Sequence, residues 1–115
     1  MATNMTYRPD CWVIVKISSP DAPAIYKILA GWFGGYLGSN SWRLNSGITS
    51  YVINDPWVEF YGESGSAYNC HSSLYGTNSM TGSILEQLKA PNDIGVTVEL
   101  LSLESFIAEF NNEVV

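Results

Sequence analysis

The sequence predicts an α+β fold: a mostly antiparallel sheet of about five to six strands with two short helices, one near 79–89 and one C-terminal, in a single domain over residues 1–115. Three observations lead there. Short runs rich in β-branched and aromatic residues, separated by clusters of Gly, Pro, Asn and Ser, recur from Cys11 to Cys70. Apolar residues at helical spacing follow His71, at Ile84, Leu85 and Leu88 and again at Leu103, Phe106, Ile107 and Phe110. A chain of 115 residues that is 46% apolar is long enough to bury one core without staples.

The elements follow in order. Residues 1–10 are polar and end in Arg8-Pro-Asp, which suits an extended lead-in. Cys11-Trp-Val-Ile-Val-Lys-Ile17 is a strand, and its nearly continuous apolar run predicts a central position covered on both faces. Ser18-Ser-Pro-Asp-Ala-Pro23 stops it, and Ile25–Ala30 is the next strand. That strand runs into Gly31-Trp-Phe-Gly-Gly-Tyr36, where glycine disfavours a helix by about 1 kcal/mol per interior position. Gly38-Ser-Asn-Ser41 reads as a turn and Trp42-Arg-Leu as the return strand. Ile48–Ile53 and Trp57–Tyr61 are strands on either side of the turn Asn54-Asp-Pro, and Ser66–Cys70 is one more, so residues 11–70 are expected to form one antiparallel meander of five or so strands. Ser79 or Thr81 is placed to cap the first helix, Ile94–Leu101 is a late strand, and Ser102 caps the last helix, with both helices expected on one face.

Charge limits the functions available. Only 14% of residues are charged, against about 25% in a typical globular chain, which favours apolar surface shared in a homo-oligomer. The net charge of −6 argues against duplex nucleic acid as a partner. The charges are uneven: residues 1–50 set Arg8, Lys16, Lys27 and Arg43 against Asp10 and Asp21, a balance of +2, whereas residues 51–115 carry −8. A small anion is therefore better received by the first half. No run approaches the ~18 apolar residues of a membrane span, and the opening residues lack a secretory pattern, so an intracellular, cytoplasmic protein with Cys11 and Cys70 as thiols is expected.

The stretch Lys27–Ile48 is the candidate site. It holds two of the four tryptophans, five of the ten glycines and Arg43 beside Trp42. Flat aromatic faces with one fixed cation suit a planar anion, which makes Trp32, Phe33, Tyr36, Trp42 and Arg43 the expected ligand-binding residues. Asn45 and Ser46 are expected to add donors, and His71 to close the other side.

Asp10-Cys-Trp-Val, Lys27-Ile-Leu-Ala-Gly-Trp-Phe-Gly-Gly-Tyr, Ser41-Trp-Arg-Leu-Asn-Ser-Gly-Ile and Gly65-Ser-Ala-Tyr-Asn-Cys-His together resemble small, mostly uncharacterised proteins of large tailed bacteriophages, over about residues 10–89. The resemblance implies a host-cell setting and anti-defence roles such as host inhibition or sequestration of a nucleotide signal of host immunity. It carries no catalytic residues to transfer.

No catalytic pattern emerges, and no cofactor or metal is expected. His71 is the one histidine, so multi-histidine metal sites are ruled out. Cys70 and His71, adjacent in a strand, point to opposite faces and cannot serve each other as nucleophile and base, while Cys11 with His71 stays open. Glu59 and Glu63 flank a turn, and the glycine-rich stretch lacks a phosphate-loop pattern. Three functions remain: a non-enzymatic binder of a small, planar, nucleotide-derived anion; an acidic inhibitor of a host protein; and a small nucleotide hydrolase using His71. Salt separates the first two, because an acidic decoy loses association rate steeply with ionic strength.

Overall fold

The computed structural model describes residues 5–34 and 41–113. The apolar run after Asp10 forms β2 (Cys11–Ser19), hydrogen-bonded on one side to β3 (Ala22–Trp32) and on the other to β8 (Thr97–Leu101), and β4 (Ser41–Leu44) completes a sheet of order β4-β3-β2-β8. As its composition predicts, β2 is central and buried on both faces. Trp12 and Ile14 face one way, aligned with Ala30 and Ile28 of β3; Val13 and Val15 face the other, with Leu29.

The second sheet contains β5 (Ile48–Asn54), β6 (Trp57–Gly62), β7 (Ala67–His71) and the two-residue β1 (Thr6–Tyr7), in the order β1-β7-β6-β5. Only β1 and β7 pair in parallel, Thr6 with Ala67 and Tyr7 with Tyr68; the other strand pairs are antiparallel. The fold is α+β, but the eight strands among the described residues lie in two sheets, not in one meander. The chain leaves the first sheet after β4 and enters the second at β5. Asn45 ties that crossing down: its backbone N donates to Ile28 O at 3.0 Å and its Oδ1 accepts from Ile28 N at 2.8 Å. Gly47 then turns at φ +141°, where an L side chain is strained. A pattern of short strands and turns reads the same whether the next strand pairs alongside or crosses to a facing sheet, so the period-2 signal is silent on this step.

The main core fills the space between the sheets. Trp12, Ile14, Tyr26, Ile28 and Ala30 meet Val58, Phe60, Tyr68 and Cys70, and α2 (Leu103–Glu113) inserts Phe106 among them. Ser102 caps α2, accepting from Ser105 N at 3.1 Å. The opposite face of the first sheet is covered by α1 (Ser79–Lys89), whose Leu85 packs on Val13, Val15 and Leu29. The two helices thus cover different faces, because each carries its own apolar stripe and the first sheet is apolar on both sides. The cap of α1 is Asn78, one residue before the expected position. Its Oδ1 accepts from Thr81 N at 2.8 Å while Thr81 Oγ1 accepts from Asn78 N at 2.9 Å, a reciprocal capping box.

Close approach explains one glycine. A Cβ on Gly31 would lie 2.7 Å from Thr81 Cγ2 and 3.0 Å from Cys11 Sγ, so the start of α1 can rest on β3 only if this position is bare. Gly31→Ala is expected to destabilise the fold by about 1–3 kcal/mol through overpacking, read as a lower denaturation midpoint.

Candidate functional site

Four segments, β1, β3, β4 and β7, converge around Tyr7. The Trp32 ring meets Tyr7 edge-on at 6.1 Å and its Nε1 donates to Arg8 O at 3.0 Å. Arg43 pairs with Ala30, which places it on the inter-sheet face of β4, and its guanidinium lies 4.7 Å from the centre of the Tyr7 ring. Tyr7 in turn stacks at a tilt, 5.0 Å from Tyr68 of β7. The result is a cleft of about 290 Å³ lined by Tyr7, Trp32, Ser41, Trp42 and Arg43.

Arg43 also lines a second cleft, of about 190 Å³, with Asn45, Ser46, Ser64, Ser66 and Tyr68. Tyr68 remains a neutral hydroxyl: burial pushes its pKa up to about 12, opposed by the Arg43 charge beside it. Among the described residues no carboxylate lines either cleft. Among the described residues Arg43 makes no ion pair, the one salt bridge being Lys16–Glu109 at 2.5 Å on another part of the surface. A third cleft, about 430 Å³, lies on the outer face of the second sheet. Arg8 reaches it, 5.6 Å from the centre of the Trp57 ring, but Glu59 lines it too, which makes it a poorer seat for an anion.

The expected residues divide accordingly. Trp32, Trp42 and Arg43 share the first cleft, and Asn45 and Ser46 join Arg43 in the second. Trp42 is half-exposed at the rim: it pairs with Gly31, so strand alternation sets it on the opposite face of β4 from Arg43. Phe33 is exposed and lines neither cleft, and its backbone N donates to Asp10 Oδ2 at 2.8 Å. Tyr36 lies outside the described residues. His71 is not brought to the site. It stands three residues beyond Tyr68, about 10 Å along β7, edge-on to Trp57 at 4.9 Å, with Nδ1 accepting from Ser73 N at 3.1 Å. The residues that the sequence reading missed are Tyr7, Tyr68, Ser64 and Ser66. Tyr7 sits in a polar lead-in, and only its parallel pairing with β7, 61 positions away, brings it to Arg43.

The groups available for covalent chemistry are scattered. Cys70 is buried in the inter-sheet core while His71 faces Trp57, and Cys11 faces α1, 4.0 Å from Thr81 Oγ1. Both cysteines are free thiols. No group of three or more His, Cys, Asp or Glu residues among those described could hold a metal ion, and no described helix is long and apolar enough to cross a membrane. Burial pushes the Cys70 thiol well above its ordinary value of 9.0. The native state therefore keeps a proton that the unfolded chain releases, so this contribution to stability is complete below about pH 9 and declines as pH rises above it. In native protein at pH 8 Cys70 is expected to resist a thiol reagent, reacting at the rate of global unfolding. Quantitative labelling resolved by peptide mass checks this.

Comparison of the chain with protein-family models, with curated proteins and with solved structures found no match.

Proposed function

We propose that this chain is a non-enzymatic binding protein for a small, planar, nucleotide-derived anion, held at Arg43. One observation carries the reading: an arginine with no carboxylate partner among the described residues is shared by an aromatic-walled cleft and a cleft lined by hydroxyl and amide groups. A base stacked on Trp32 and Tyr7 would leave its phosphate within reach of the guanidinium, whose planar fork grips phosphate oxygens in pairs. His71 lies apart from both clefts, so it is given no part in binding or hydrolysis. In the setting that the phage resemblance implies, binding alone would serve to sequester a host immune nucleotide in the host cytoplasm. Self-association into a homo-oligomer belongs to the same proposal, motivated by exposed Val52 and Ile53 on the edge strand β5. Light scattering at several protein concentrations tests it.

Titrating the tryptophan fluorescence with the four common nucleoside 5′-monophosphates tests the binding reading. Stacking is worth about 1–3 kcal/mol per base, so Trp32→Leu is expected to weaken the best ligand about 5- to 150-fold. Equal affinity in wild type and variant would remove the aromatic cleft from the account.

A further inference from the structure

Asn45 is 96% withdrawn from solvent, with only 4% of its surface exposed, and its two ends are treated differently. Oδ1 is used by Ile28 N, but Nδ2 has no hydrogen-bond partner among the described residues. A buried donor left unpaired costs about 1–3 kcal/mol. Asn45 lines the 190 Å³ cleft, and Gly62 stands bare against its amide: a Cβ there would lie 3.3 Å from Asn45 Nδ2 and 3.0 Å from Ser46 Oγ, tighter than side chains ordinarily pack. The other residues lining the cleft include Arg43, Ser46, Ser64, Ser66 and Tyr68. Ser46 Oγ already accepts from Ser64 N at 3.0 Å, which leaves its own proton to donate. Glu63, the acid nearest in sequence, lines a separate cleft with Ile25 and Gly47.

We propose that this cleft, between the β4–β5 crossing and the β6–β7 turn, is a seat for a terminal phosphate monoester, with Asn45 Nδ2 and Arg43 as its principal donors. The inference rests on the nucleotide-binding reading and specifies which end of the ligand is recognised. The volume is below the roughly 300–1,000 Å³ of pockets that take whole drug-sized molecules, so it suits a group, not a base. A phosphate monoester brings three acceptor oxygens and close to two negative charges into a site that offers donors and one cation. An internal or cyclic diester brings two free oxygens and a single charge, and leaves more of those donors unmet.

Two substitutions separate the seat from the fold. Asn45→Asp keeps an oxygen for Ile28 N while replacing the unpaired donor with an acceptor. Gly62→Ala keeps the Asn45 side chain and crowds a methyl group against its Nδ2 and against Ser46 Oγ, at a backbone position outside the left-handed region. The experiment is calorimetric titration of wild type and both variants with inorganic phosphate and with the four nucleosides, their 5′-monophosphates and their 3′,5′-cyclic monophosphates. The expected result is that at least one 5′-monophosphate binds tenfold or more tightly than its nucleoside and its cyclic form. Gly62→Ala should remove that advantage and leave the nucleoside affinity unchanged. If nucleotides bind but the monophosphate has no advantage, or keeps it in both variants, the seat is overturned and the nucleotide reading survives. Phosphate binding that is lost in Gly62→Ala, with no effect of any base, would keep the seat and overturn the nucleotide reading. If neither phosphate nor any nucleotide binds, both fall.

Discussion

Phe106→Ala is expected to cost about 3–5 kcal/mol, the largest loss from any single truncation of α2. The ring is fully buried and meets four others, Phe110 at 5.1 Å, Tyr51 at 5.4 Å, Tyr26 at 5.6 Å and Phe60 at 5.7 Å. Two of those partners, Tyr51 and Phe60, belong to the second sheet and one, Tyr26, to the first, so this side chain joins both sheets to the last helix. Removing it leaves a cavity at the junction that the two hydrogen-bonded sheets cannot collapse to fill. Because native domains are stable by only about 5–15 kcal/mol, a loss of this size consumes much of the total. Urea denaturation followed by fluorescence should show a much lower midpoint. Phe110→Ala, at a partly buried position on the same helix, serves as the internal comparison and should lose less. Equal losses at the two positions would mean that Phe106 does not organise the junction.

Arg43→Glu is expected to weaken the ligand by about 2–5 kcal/mol, roughly 30- to 5,000-fold, while leaving the denaturation midpoint close to that of wild type. The two halves of this expectation have different causes. Arg43 is exposed and makes no ion pair among the described residues, so the fold loses its contact with the Tyr7 ring, worth about 0.5–1 kcal/mol at such a site. The ligand meets a carboxylate where both clefts previously offered their one guanidinium. Arg43→Lys should fall between, because an ammonium keeps the charge and loses the planar fork.

Much of the strand content was legible because it rests on local pattern. Cys11–Ile17, Ile48–Ile53 and Trp57–Tyr61 carry their own β-branched and aromatic signatures and turn boundaries, and they became β2, β5 and β6 with ends shifted by at most two residues. What local pattern cannot carry is where a strand goes next. The crossing at Asn45 and Gly47 splits the strands into two sheets through a side-chain bond to Ile28 and one positive φ, and neither leaves a periodic trace. The apolar alternation from Ile94 overstates the late strand at its start, since Asn92 holds the preceding loop in place by accepting from Ile94 N and Val96 N, both at 3.1 Å.

The candidate site was legible only where residues are neighbours in sequence. Arg43, Asn45 and Ser46 lie in one short run of the sequence, and the clefts include them, with Trp32 from the paired strand. Trp42 shows the limit of reading a run as a cluster, because alternation turns it to the other face of β4. Tyr7, Ser64, Ser66 and Tyr68 come from distant segments. No single-sequence signal joins a two-residue parallel strand to β7, so these residues could not be placed beside Arg43 before the sheets were known.

The central claim is that Arg43 holds a small anionic ligand. Its most direct test is mass spectrometry of the small molecules released by heating purified protein that has been incubated with a nucleotide-rich cell extract, comparing wild type with Arg43→Glu. The account predicts an intact nucleotide carrying a terminal phosphate from wild type and little or none from the variant. Release of nothing from wild type, or of equal amounts from both proteins, would contradict it.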